Sequence, residues 1–167
     1  MAGFAAEATP PDVPEHAEHD AVELLRSLLR GPGVEFAADI RAELQEQMFD
    51  LCGVVRSERG LSNLQEILET LRKRYDEVGV QDHGRSFNTE LMEAVELGFL
   101  LDTADAVASA ARTRDESRGG HYREDHPLRE DDRWLVHSLA YREKDGSVRM
   151  EYKDVVLGPY IPMERKY

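Results

Sequence analysis

Between residues 20 and 112 the apolar positions recur at steps of three and four, which predicts helices. Asp20 to Arg30 places Val22, Leu25 and Leu29 on one side, and Gly31-Pro32-Gly33 stops that helix. From Phe36 to Cys52 one face collects Phe36, Ile40, Leu44, Met48 and Leu51, and Gly53 marks an end or a bend. A third helix is expected from about Ser62 to Val78, with Leu61, Leu64, Leu68, Leu71, Tyr75 and Val78 forming a narrow seam. Ser62 with Gln65 has the spacing of a capping box, and Gly79 suits the position just past a helix end. A fourth helix starts at Asn88, a good N-cap, and runs to about Arg112. It is apolar on a wide arc: Leu91, Met92, Val95, Phe99, Leu101, Ala104, Ala108 and Ala111. Gly98, Ala104 and Ala108 permit a close neighbour, so this is the central helix of a three-helix, spectrin-like bundle.

After Arg112 the texture changes. Residues 113–133 are dense in charge and turn formers, and a strand pair follows. Trp134 to Arg142 is the first strand, Asp145-Gly146 is a strong hairpin signal, and Val148, Met150 and Tyr152 alternate with polar residues in the second. The proline-bearing tail is expected to be extended. Residues 1–19 are an irregular lead-in, because Pro10, Pro11 and Pro14 block a helix. The fold class is therefore mostly α, a three-helix bundle extended by a loop and a β-hairpin.

Composition narrows the function. Of 167 residues, 41% are hydrophobic and 33% charged, with a net charge of -13, so a core can form under an acidic surface. Phosphate contacts need clustered Lys and Arg, so nucleic acid is disfavoured. An anionic membrane surface is disfavoured for the same reason. No apolar run approaches the roughly 20 residues that span a bilayer, so no direct membrane insertion is expected. The acidic, proline-punctuated start lacks a signal-peptide pattern, and cytoplasm is the expected location. Cys52 stands alone, which excludes a disulfide framework or a thiolate cage and fits a buried structural thiol.

The sharpest cluster of candidate groups runs from Glu116 to Asp125: Glu116, Ser117, Arg118, Gly119, His121, Arg123, Glu124 and Asp125. Arginine forks suit bidentate ion pairs across an interface, so one reading is a docking loop. The other is a self-paired loop tying bundle to hairpin, and the two are compatible. Trp134 and Tyr141 could anchor a partner or fill the hairpin–bundle junction. The pairs His16/His19 and His121/His126 supply too few ligands for a metal site. The Leu61–Val78 seam suits intramolecular core better than a groove for a partner helix.

Residues 88–127 resemble the last bundle helix and following loop of the succinate dehydrogenase/fumarate reductase flavoprotein family. The string Glu116-Ser117-Arg118-Gly119-Gly120-His121, then Arg123-Glu124-Asp125 and Pro127, is its most specific part. Trp134, His137 and Ser138 match the Trp-x-x-His-(Ser/Thr) pattern that follows in that family. Upstream, Arg41, Leu44, Gln45, Met48, Gly53, Val54 and Arg56 fit its first long bundle helix, so the resemblance covers most of residues 36–167. L-aspartate oxidases and adenylylsulfate reductases carry related bundles. The Trp134/His137 segment and the Asp145-Gly146 hairpin favour the succinate/fumarate branch.

The resemblance implies hydride transfer between succinate and a covalently held FAD. It also implies contact with the flavin-binding domain of the same subunit and with an iron–sulfur subunit, in a complex at the cytoplasmic face of the inner membrane. The family's flavin-linking, substrate-binding and proton-donor residues precede the region that matches here, so none falls on this chain. No G-x-G-x-x-G is present to cradle a pyrophosphate. The expectation is a C-terminal part with no cofactor, metal or catalytic residues of its own. Residues 1–35 would be a link and short helix from a flavin domain, 36–114 the bundle, and 115–167 the docking loop, hairpin and tail. Trp134 and His137 join Glu116–Asp125 as expected interface residues. An aspartate oxidase C-terminal domain and a free-standing helical adaptor stand as alternatives.

Overall fold

The computed structural model describes residues 12–13, 15–84, 86–160 and 162–163. The start of the lead-in and the last four residues of the tail lie outside them. Helices α1 (His19–Arg30), α2 (Ala37–Cys52), α3 (Glu58–Tyr75) and α4 (Thr89–Thr113) come first. A two-residue strand β1 (Val55–Arg56) separates α2 from α3. Strand β2 (Tyr122–Arg123), a one-turn helix α5 (Asp131–Trp134) and strands β3 (Val136–Arg142) and β4 (Val148–Asp154) follow.

Helices α2, α3 and α4 form the bundle. Three polar rungs fix α3 antiparallel to α4: Arg112 Nε donates to Glu58, Gln65 to Ser109 and Arg72 to Asp105. Arg41, near the start of α2, donates to the Glu93 carbonyl and to Glu96 near the start of α4, so those two helices run the same way. Between them lie Ile40, Leu44, Leu61, Leu64, Leu68, Leu71, Ala94, Leu97 and Leu101, all buried. Each such leucine contributes about 1.5–3 kcal/mol by leaving water. Small residues let the helices close up. A Cβ added at Gly98 would stand 2.7 Å from the Tyr75 hydroxyl, which donates to the Ala94 carbonyl.

Several boundaries differ from the sequence reading. Helix α3 starts at Glu58, not Ser62, and its N-cap is Ser57, whose hydroxyl accepts from the Gly60 N–H. It ends at Tyr75; Val78 is buried beyond the helix. Phe36 is the N-cap of α2 rather than its first core residue and is 44% exposed. On α4 the buried set is Ala94, Leu97, Leu101, Ala104, Ala108 and Ala111, while Met92 and Phe99 face outward. Asn88 does cap α4, accepting from the Leu91 N–H. Trp134 belongs to α5, so the first hairpin strand opens two residues later than the pattern suggested.

The α1–α2 link crosses the α3–α4 link at backbone contact. Val80 N–H donates to the Leu28 carbonyl, and Glu35 N–H to that of Glu77. Gly31 and Gly79 make the crossing possible: a Cβ at Gly31 would meet the Val78 oxygen at 2.1 Å, and one at Gly79 the Gly33 nitrogen at 2.5 Å. These glycines thus do more than end helices.

Strands β1 and β2 pair in parallel, with Val55 opposite Tyr122 and Arg56 opposite Arg123. Parallel strands need a long crossover, and here α3 and α4 together provide it. The β3–β4 hairpin is antiparallel with Arg142 opposite Val148, and it turns through Asp145-Gly146 as the dipeptide predicts. It lies against α4. Arg142 and Arg72 both reach Asp105, the former at 2.7 Å, which clamps the hairpin to the bundle.

Candidate functional site

The segment between α4 and β3 carries the densest chemistry. Glu116 and Arg123 are fully buried, the only charged side chains so placed among the described residues. Each is enclosed by partners. Glu116 Oε1 accepts from Arg114 at 2.6 Å and from Arg118 at 2.8 Å, and Oε2 accepts from Arg118 and from the Glu130 N–H. Burial pushes the Glu116 carboxyl up, but the hydrogen bonds from Arg118, Glu130 N–H and Arg114 outweigh it and hold the pKa below the usual glutamate range. Arg118 goes on to Asp131 at 2.7 Å, and Asp131 also pairs with Arg129.

Arg123 forms the second centre. Its fork grips Asp125 with two bonds of 2.7 Å, while Nη1 donates to the carbonyls of Ala111 and Arg112 at the end of α4. A second carboxylate, Glu58 of α3, stands at 3.3 Å. The Arg123 fork holds Asp125 far below the ordinary aspartate range, helped by the Glu58 N–H, which donates to it at 2.9 Å. The buried guanidinium satisfies α4's last carbonyls while its carboxylate partner caps α3. Helix ends leave these groups orphaned, and one ion pair serves both.

His121 joins the two centres. Arg56 of β1 donates to His121 Nδ1 at 2.9 Å, and a guanidinium can only donate, so Nδ1 accepts. Nε2 then carries the proton and donates to the Arg114 carbonyl at 3.2 Å. Burial first, then Arg56, Arg123 and Arg114, hold this imidazole below its ordinary pKa and therefore neutral, despite the opposing pull of the Arg114 carbonyl. Ser117 accepts from the Arg123 N–H at 2.9 Å and donates to the His126 carbonyl at 2.8 Å, fixing the loop's own fold.

The structure brings most of the expected residues into one network: Glu116, Ser117, Arg118, His121, Arg123 and Asp125. Gly119 sits at its exposed turn and Glu124 points to water. Trp134 is buried beneath it, with the guanidiniums of Arg114 and Arg133 5.0 Å and 4.6 Å from its ring centroid and Tyr152 edge-on at 5.5 Å. Of the two roles open to it, Trp134 fills the hairpin–bundle junction. His137 lies apart, exposed on β3 opposite Lys153. The sequence reading left Glu58, Arg114 and Asp131 out, and it met Arg56 only as part of the first bundle helix, not as a member of this cluster. Arg56 and Glu58 sit 65 residues from their partners, so no local spacing announces them. Cys52 is buried, and burial raises its thiol pKa.

The arrangement orients segments and satisfies helix ends. Gly31 and Gly79 are filled by crossing backbone, so neither leaves room for a pyrophosphate. The crossing at Gly31 and Gly79 is therefore no cradle for a flavin dinucleotide. Among the described residues, no three His, Cys, Asp or Glu side chains converge to hold a metal, and no helix is long and apolar enough to cross a membrane.

A helical bundle followed by a terminal hairpin matches the C-terminal region of a class of oxidoreductase flavoprotein subunits. A solved structure of Escherichia coli quinol fumarate reductase superposes on 96% of this chain with a TM-score of 0.86 and 34% identity, using 28% of its own chain. Residues 41–167 match the family model described as fumarate reductase flavoprotein C-term, and the chain belongs to that family. The fumarate reductase flavoprotein subunit of Mycobacterium tuberculosis is 40% identical over 152 residues, 90% of this chain. The succinate dehydrogenase flavoprotein subunit of Rickettsia bellii is 34% identical over 145 residues, 87% of this chain. The chain spans 26% of the first relative's length and 24% of the second's. The aspartate oxidase and adaptor readings find no support among these matches.

Proposed function

We propose that this chain is the C-terminal structural module of an FAD-containing subunit that interconverts succinate and fumarate. It braces the flavin-binding domain of the same polypeptide and contributes to the contact with an iron–sulfur subunit. The observation that carries this reading is the superposition of 96% of the chain on the E. coli quinol fumarate reductase structure. FAD and the substrate-binding groups belong to the preceding part of the subunit, and the chain alone is inactive. Residues 1–35 form the link, 36–114 the bundle, and 115–167 the docking loop, hairpin and tail. The parent complex sits at the cytoplasmic face of the inner membrane, held there by its other subunits.

Within the module the charges divide the work. Glu116, Arg123 and Trp134 are buried and set the loop's shape, while Arg118 and His121 lie half-open above them. Gly119, Glu124 and His137 are exposed and free to meet a neighbour. The test is direct. The purified chain shows neither flavin absorbance nor succinate–acceptor activity, and the full-length subunit that ends in it shows both. Flavin bound tightly to the chain alone overturns the reading. For the docking loop, Glu124→Lys weakens co-purification of the iron–sulfur subunit while the flavin spectrum stays unchanged; undiminished co-purification refutes that role.

A further inference from the structure

Two arginines tie the segment after α4 to the bundle, and their partners respond differently to acid. Arg123 holds the start of α3 and the end of α4. Its partners are Asp125 at 2.7 Å, Glu58 at 3.3 Å and the carbonyls of Ala111 and Arg112. Asp125 stays ionised in mild acid, because the Arg123 fork holds it far below the ordinary aspartate range. Arg56 holds the end of α2, where its Nε donates to the carbonyls of Cys52 and Gly53 at 3.2 and 2.9 Å. Its only side-chain partner among the described residues is no carboxylate but the His121 ring, Nη1 to Nδ1 at 2.9 Å.

That contact exists in one protonation state alone. A guanidinium has only donors, so Nδ1 must be bare. The other ring nitrogen gives its proton to the Arg114 carbonyl at 3.2 Å. A second proton has to go to Nδ1, against the Arg56 N–H. The groups that face the ring are Arg56 from β1, Arg123 from β2 and Arg114 from the end of α4, all cationic. The carboxylates around them are committed elsewhere. Glu116 serves Arg114 and Arg118, Asp125 serves Arg123, Glu58 serves Arg112 and Arg123, and Asp115 serves Arg133. Cys52, at the end of α2, is buried and its thiol pKa is raised, so it stays neutral. Imidazole is the one group here whose ordinary pKa, about 6.5, brings this choice into mild acid. The same residues also pair the strands. Arg56 lies opposite Arg123, and its carbonyl accepts from the Glu124 N–H at 2.9 Å. Each strand has only two residues, so the Arg56–His121 contact is a large part of what closes the pair.

We propose that Arg56 and His121 form a proton-operated latch, closed while the ring is neutral and opened by a proton on Nδ1. Opening releases β1 and the end of α2 from the segment, while Arg123 keeps the segment on α3 and α4. Acid therefore hinges the segment about its Arg123 anchor before it unfolds anything. The latch lies within this chain and is independent of the module reading above.

The test uses the full-length subunit that ends in this chain. Hydrogen exchange is resolved to single amides from about pH 7.5 to about pH 5 and corrected for the intrinsic pH dependence of exchange. The Glu124 N–H reports the latch, because it donates to Arg56. The Ser117 N–H donates to the Leu128 carbonyl inside the segment and reports the segment's own fold. Glu124 should exchange at least about tenfold faster at the acid end, while Ser117 changes by less than about twofold. Exchange at the His121 Cε1 follows protonation of the ring in the same samples, and its midpoint should coincide with that of Glu124. His121→Asn keeps an acceptor for Arg56 at every pH and should leave Glu124 as protected in acid as the native protein is at neutrality. The midpoint comparison needs no variant and decides the matter if that substitution loosens the segment by itself. A Glu124 amide that stays protected throughout, two amides that rise together, or a Glu124 midpoint apart from that of His121 overturns the proposal.

Discussion

Leu61, Leu64, Leu68 and Leu71 fill the centre of the bundle, while Glu116 and Arg123 fill the centre of the junction beside it. Both regions are closed to water, and opposite chemistries close them. The leucines are held by area and close packing, which tolerate exchange for another apolar residue of similar volume. The charges are held by named partners, and losing one leaves the others buried and unpaired. The bundle's contacts join helices that a periodic sequence already shapes. The junction joins the start of α3 and the end of α4 to β1 and α5, and those last two are too short to stand alone. Discrete ion pairs suit that task because they fix direction as well as distance.

The largest expected effect lies in the junction. Glu116→Ala removes the carboxylate that faces Arg114 and Arg118 and should lower stability by about 3–5 kcal/mol in urea unfolding. A loss below about 1 kcal/mol would mean that water reaches those arginines, and the contrast with the bundle would fail. Leu68→Ala follows at about 2–5 kcal/mol, depending on how far α2 and α4 close on the cavity. Combining the two substitutions sharpens the comparison, since sites without shared partners should add.

Acid should also separate the regions. His121 has its pKa held below the ordinary value of 6.5, so the unfolded chain takes up the proton first. Its contribution is full above that value and is lost as pH falls through it. Glu116 and Asp125 are likewise depressed, so a second loss begins below about pH 4 as the unfolded carboxylates protonate first. Thermal melts from pH 7.5 downwards should show the first decline in the native chain, and His121→Asn should remove it. A decline unchanged in the variant would place the acid sensitivity elsewhere. The smallest effect concerns the α3 cap: Ser57→Ala should lower stability by about 1 kcal/mol, and Ser62→Ala by much less. Equal losses would restore the later helix start.

Much of the bundle was legible because its signals are local. Steps of three and four drew the faces of α2 and α3, Asn88 marked the start of α4, and Asp145-Gly146 marked the hairpin. The errors came where a distant contact decided a local matter. Ser62 with Gln65 has a capping spacing, but Ser57 caps because Asp125 and β1 position the chain there. The seam runs on to Val78, but the helix stops at Tyr75 because the α1–α2 link crosses just beyond it. Met92 and Phe99 belong to the apolar pattern of α4 yet stand outside its buried side, and the sequence alone could not separate the two sides.

The sequence by itself determined the helices, the hairpin and the family resemblance, since these rest on periodicity, turn residues and a short string of residues. It also marked Glu116–Asp125 as the segment with unusual charge. Only the tertiary structure decided which of those charges lie inside. Burying a carboxylate or guanidinium is unfavourable unless several partners converge on it. Here the partners arrive from Arg56, Glu58, the end of α4 and α5, positions that meet only when the bundle has folded.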